Sequence, residues 1–65
     1  IMPIIRVDMF EGRTSEQKSK LTKELTEAFV RTCGSTPDQV QVMITEFSPG
    51  HWGSGGKLAS EKAKS

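Results

Sequence analysis

Four kinds of group in this chain have the atoms for chemistry: a glycine-rich segment ending in lysine, one cysteine, one histidine and scattered carboxylates. The segment from Gly50 to Lys57 reads G-H-W-G-S-G-G-K and invites comparison with a phosphate-binding loop. That motif requires glycine five residues before Gly56, where His51 stands, and Ser or Thr after the lysine, where Leu58 stands. No long helix follows, so the phosphate-loop reading fails. Cys33 has no histidine near it in the pattern to take its proton, and reads as a packing or incidental thiol rather than a nucleophile. His51, a lone loop histidine, reads as a surface or hydrogen-bonding residue before a general base. Ser15 and Ser54 have no identifiable triad partners, and Asp8, Glu11 and Glu46 have ordinary strand or turn explanations. One histidine and one cysteine cannot close a zinc site within a single chain. A single cysteine also rules out an intrachain disulfide.

Whatever chemistry exists must therefore be positioned by the elements. Pro3 to Phe10 reads P-I-I-R-V-D-M-F; Ile5, Val7 and Met9 alternate with Ile4, Arg6, Asp8 and Phe10, a strand with one apolar face. A leading proline is tolerated there, because the first strand residue need not donate to the ladder. Glu11-Gly12-Arg13 is a turn, and Thr14 stands three residues before Gln17, the spacing of a capping box. Leu21, Leu25, Ala28, Phe29 and Thr32 form one stripe along a helix of about five turns that stops at Gly34. Val40 to Phe47 is a second strand, with Val40, Val42 and Ile44 on one face and Gln41, Met43, Thr45 and Phe47 on the other. A strand, a crossover helix and a strand give parallel pairing. Ser48 to Lys57 is a turn plus a short hairpin, and from Leu58 onward the pattern is weakly helical at best. Residues 60–65 read as a frayed tail. The fold class is α+β: one β-α-β unit with a parallel two-stranded sheet plus a C-terminal hairpin, all within a single domain over 1–65. The helix covers one sheet face and nothing in the chain remains for the other.

Sixty-five residues give a marginal core, which small domains supplement with disulfides, a metal or partner subunits. The first two being absent, oligomerisation is expected. Nine basic and eight acidic residues leave a net charge of +1, without the basic excess of a nucleic-acid binder. No apolar run approaches the roughly 20 residues of a membrane span. Arg6 and Asp8 interrupt the first apolar stretch, so no signal-peptide pattern is read and a cytoplasmic location is expected.

Taken together, P-I-I-R-V near the start, E-G-R-T-S-E-Q-K at the turn into the helix, and G-H-W-G-S-G-G-K-L-A near the end resemble the 4-oxalocrotonate tautomerase family. The resemblance runs from Pro3 to Ala59. It implies a cofactor-free isomerase that converts a small enol or dienol acid, 2-hydroxymuconate-like, to its conjugated 2-oxo form, as in the degradation of aromatic compounds. It also implies a homohexamer built as a trimer of dimers. In the family an amino-terminal proline is the general base, and its match here is Pro3. Arg13 matches an arginine that binds a substrate carboxylate, often from a neighbouring subunit, and its forked guanidinium suits that task. Trp52 matches the aromatic residue that walls the pocket, and Phe10 is expected to border it.

Two departures from the family pattern stand out. The second family arginine aligns with Gln41, a substrate-binding candidate that can hydrogen-bond a carbonyl but has no charge to balance a carboxylate or enolate. This points to a different substrate, weak activity, or a nearby cation such as Arg6 taking over. Ile1 and Met2 also precede Pro3, and an acylated proline nitrogen is an amide with no usable lone pair. Met2 is the kind of initiator that cells remove before proline, and Ile1 reads as a boundary remnant; if both are retained, proline-based catalysis is excluded. The alternative readings are a non-catalytic or hetero-oligomer subunit, or a superfamily hydratase or dehalogenase needing a water-activating carboxylate that the sequence does not identify.

Overall fold

A computed structural model describes residues 2–62 of the chain. The elements run β1 (Ile4–Phe10), α1 (Ser15–Cys33), a 3₁₀ turn at Pro37–Gln39, and β2 (Gln41–Phe47). A second 3₁₀ turn at Pro49–His51 leads to β3 (Gly53–Ser54), β4 (Lys57–Leu58) and one helical turn, α2 (Ala59–Lys62). The expected β-α-β unit with a C-terminal hairpin is therefore present. The tail read as weakly helical makes a full turn over Ala59–Lys62, where the Glu61 carboxylate caps the Leu58 N–H at 2.8 Å. Residues 63–65 of that expected tail lie outside the described residues, as does Ile1.

Local chemistry sets the boundaries of α1. Thr14 Oγ1 accepts from the Gln17 N–H at 3.1 Å, and Gln17 Oε1 accepts from the Thr14 N–H at 2.9 Å, which satisfies two of the helix's orphan donors. At the other end Gly34 adopts φ 81° and its N–H reaches the Val30 carbonyl at 3.1 Å. Leu21, Leu25, Ala28 and Phe29 are half-buried as the stripe requires, but Thr32 is exposed. Its hydroxyl donates to the Ala28 carbonyl at 2.7 Å, so the side chain satisfies itself on its own helix instead of joining the sheet.

β1 and β2 pair in parallel with Ile4 opposite Gln41, Val7 opposite Ile44 and Phe10 opposite Phe47. The ladder extends one bond beyond each end, from Gln41 N–H to the Pro3 carbonyl and from Glu11 N–H to the Phe47 carbonyl, both 2.9 Å. Side chains of paired residues share a face, so Ile5, Val7, Met9, Val42, Ile44 and Glu46 form one side. An ion pair from Lys18 to Glu46 at 2.9 Å ties α1 to that side. The opposite side carries Ile4, Arg6, Asp8 and Phe10 beside Gln41, Met43, Thr45 and Phe47. Contrary to expectation, the chain does cover part of this second side: Trp52, at the base of the hairpin, lies on Phe10 and Phe47. Ile4 and Met43 remain 53% and 43% exposed.

The glycines that imitate a phosphate loop make a hairpin turn. Gly55 and Gly56, at φ 61° and 85°, are the two central residues of a loop that sets Ser54 opposite Lys57. Both positions of such a tight turn need positive φ. The Ala59 N–H then bonds the Trp52 carbonyl at 2.7 Å and closes the hairpin base. Val40, still 8% exposed, is the one buried apolar residue among those described. The protomer measures 46 × 24 × 15 Å with a radius of gyration of 15.3 Å, against about 11 Å for a compact domain of this length. It is a slab with a thin core and unpaired strand edges.

Candidate active site

The expected site residues lie at two ends of one strand. At the start of β1, Pro3 is half-buried and lines an open cleft of ≈ 390 Å³ with Phe29, Cys33, Gly34 and Ser35. The end of α1 forms the far wall, because Gly34 and then Ser35, at φ 112°, turn the chain back there. A serine in that region is strained, and it lines the same cleft as Pro3. Cys33 is exposed in the same cleft, with Sγ 3.6 Å from Thr32 Oγ1. Only the backbone of Gln41 meets Pro3, through the 2.9 Å bond to the proline carbonyl. The Gln41 side chain follows Ile4 onto the opposite face, away from α1.

At the other end of β1, the Phe10 and Trp52 rings lie 4.7 Å apart and tilted by 45°, and Phe47 meets Trp52 edge-on at 5.6 Å. These separations are those of favourable aromatic pairs. The register explains the cluster, since it aligns the last residues of both strands, and the 3₁₀ turn after β2 brings Trp52 back over them. Arg13 follows directly in the turn that Gly12 makes at φ 125°. It is exposed and makes no ion pair among the described residues. The capping box fixes the chain one residue beyond it. An exposed arginine thus follows the aromatic cluster three residues after Phe10.

Seven strand steps separate Pro3 from Phe10, roughly 20 Å of extended chain. The protomer therefore gathers Phe10 and Trp52, sets Arg13 close by, and leaves Pro3 at the far end. Phe47, the third ring, was not singled out from the sequence. Its signal was the constant offset between paired strand positions, visible only once the parallel register is known.

The remaining candidates have ordinary roles. His51 Nδ1 lies 2.9 Å from Ser48 Oγ in the 3₁₀ turn, a local bond of the kind anticipated for it. Ser54 Oγ accepts from Lys62 Nζ. Among the described residues no three His, Cys, Asp or Glu side chains gather as metal ligands would, and no helix is long and apolar enough to cross a membrane.

Comparison with known proteins gives a consistent result. The family model for tautomerase enzymes matches residues 3–62. A 2-hydroxymuconate tautomerase of Pseudomonas putida is 45% identical over 60 residues, which is 92% of this chain and 95% of the relative. Among solved structures, TomN, a 4-oxalocrotonate tautomerase homologue of the tomaymycin biosynthetic pathway, superposes with a TM-score of 0.92 at 35% identity, covering 97% of both chains. A heterohexamer 4-oxalocrotonate tautomerase from Chloroflexus aurantiacus superposes with a TM-score of 0.85 at 35% identity, covering 92% of this chain and 97% of its own.

Proposed function

The chain belongs to the tautomerase family, and from that premise we propose that it is a cofactor-free isomerase of small enol or dienol 2-hydroxy acids, with the Pro3 nitrogen as general base. In this reading the nitrogen, freed from Met2, takes the proton of the 2-hydroxyl group. The oxygen–hydrogen electron pair becomes the carbonyl, the double bonds shift along the chain, and the nitrogen returns the proton to carbon. Atoms and electrons balance within the substrate. An α-amino group titrates at roughly 7.7–8 when unperturbed. Burial and a nearby cation disfavour its protonated form and bring it toward neutrality, where a base works well. Arg13 would hold the substrate carboxylate, and Trp52 and Phe10 would wall the pocket and exclude water.

The observation that best supports this reading is the exposed Arg13, without an ion pair among the described residues and three residues after Phe10 of the Phe10–Phe47–Trp52 cluster, at the end of β1 opposite to Pro3. The two halves complete a site only when one copy's proline end meets another copy's aromatic end. The open sheet edges, the exposed Ile4 and Met43 and the thin core favour that assembly. We take the assembly to be a hexamer of identical chains.

The test compares protein beginning at Pro3, verified by intact mass, with a Pro3→Ala variant in the ketonisation of a phenylenolpyruvate-type enol. General-base catalysis contributes roughly 10²- to 10⁴-fold, so kcat/KM should fall by that order. Equal rates in the two proteins would sink the proline-base mechanism. The rival reading, a hetero-oligomer subunit whose partner brings an arginine, rests on Gln41. It requires the chain expressed alone to be inactive.

A further inference from the structure

We propose that Arg6 supplies the cationic contact that Gln41 cannot, and thereby decides whether the site prefers a dicarboxylate to a monocarboxylate. The inference rests on the composite site described above and names a residue of it. Arg6 pairs with Met43 and Ile4 pairs with Gln41, so Arg6 and Gln41 share the face turned away from α1. They are diagonal neighbours, roughly 7–8 Å apart at Cα, a gap that an arginine side chain spans. Any approach of a second copy that carries Gln41 to the proline end of a site therefore carries Arg6 with it.

Charge makes the same point. Arg6 is the one basic residue in either long strand, I-I-R-V-D-M-F and Q-V-M-I-T-E-F. It is exposed and makes no ion pair among the described residues. Its neighbours toward the proline end are Ile4 and Met43, both exposed and apolar, and the neutral Gln41. Covering this face would strand a cation among apolar groups, at high cost unless an anion meets it. Two kinds of anion qualify: a substrate carboxylate, or Asp8, of the same strand or of another copy. Asp8 lies two residues farther along the same face, toward the aromatic end, whereas Gln41 lies on the proline side. With Arg13 holding one carboxylate, a dicarboxylate needs a second cation, and a guanidinium beside the Gln41 amide offers donors to both oxygens of the other group.

The experiment uses the assembled protein beginning at Pro3. Adipate, a saturated six-carbon dicarboxylate, and hexanoate are titrated while Trp52 fluorescence is followed. Wild type should bind adipate the more tightly. Arg6→Ala should weaken adipate by roughly 10- to 100-fold, the loss expected for one charged hydrogen-bonded contact, and leave hexanoate within about threefold. Arg6→Gln, which keeps a polar side chain, should behave similarly, and Arg6→Lys should recover part of the affinity. In a Gln41→Arg background the Arg6→Ala effect should shrink, since a second cation is then present. A wild type without preference for adipate, an equal loss for both ligands, or an Asp8→Asn variant that reproduces the loss would each overturn the assignment. The last of these would make Arg6 an ion-pair partner of Asp8, within the strand or between copies. Because binding needs no proton transfer, failure of the proline-base mechanism appears only in the Pro3→Ala kinetics and leaves this comparison decisive.

Discussion

Pro3 and Phe10, at the two ends of β1, are seven residues apart, and the two ends are built on different principles. At the aromatic end, three rings interlock, Gly12 and a capping box fix the turn, and the ladder runs on through the Glu11 N–H. Most of that end is settled by contacts within one chain. At the proline end a single backbone bond holds the residue in place, the cleft beside it is open, and Ile4 and Gln41 look outward with nothing over Ile4. One end is finished within the chain and the other is left open. Under the composite site proposed above, assembly would serve the site as much as the core, because neither half has the other's chemistry.

The strongest way to break this comparison is complementation. Pro3→Ala and Arg13→Ala homo-oligomers should each lose roughly 10- to 100-fold or more in kcat/KM, since one lacks the base and the other a charged substrate contact. Unfolded together and refolded, they should regain roughly a quarter of wild-type activity if each site draws the two residues from different subunits at random. No recovery would mean that both residues serve from one chain. A smaller effect is expected at Trp52. Trp52→Leu keeps much of the apolar bulk and should cost ~1–2 kcal/mol in denaturant unfolding. It should slow turnover at the aromatic end while leaving the start of β1 unchanged in hydrogen exchange. Smallest is Lys18→Met, which breaks the Lys18–Glu46 pair. Both side chains are about 30% exposed, so the loss should be at most about 1 kcal/mol and should vanish at high salt. A larger loss would show that the helix-covered face depends on this pair more than its exposure suggests.

What could be read from the sequence was local. The capping box at Thr14 and Gln17, the stop at Gly34 and the short hairpin after Ser48 each depend on residues within a few positions of one another, and each formed where expected. The alternation of β1 also marked Ile5, Val7 and Met9 as the covered face. Thr32 was assigned to the helix stripe by periodicity alone, which cannot foresee a hydroxyl bonding to its own helix backbone. Phe47 and the return of Trp52 over the second face depend on register and on the path of a loop, both non-local. The separation of Pro3 from Arg13 was hidden for a related reason: motifs supply residue types and order along the chain, while distance comes only with the direction of the strand.

One bond at the proline end has a practical consequence. The ladder engages Pro3 through its carbonyl, at 2.9 Å from the Gln41 nitrogen, and a proline within a chain has no N–H to offer in any case. Among the described residues, removing Met2 therefore breaks no sheet hydrogen bond, and leaving it attached breaks none either. Circular dichroism, melting curves and sizing columns should pass a blocked preparation and an unblocked one alike. Under the proline-base proposal, the fraction of competent sites in a sample is thus a question for amine titration and mass spectrometry, and a well-folded batch would be chemically silent wherever the nitrogen is blocked.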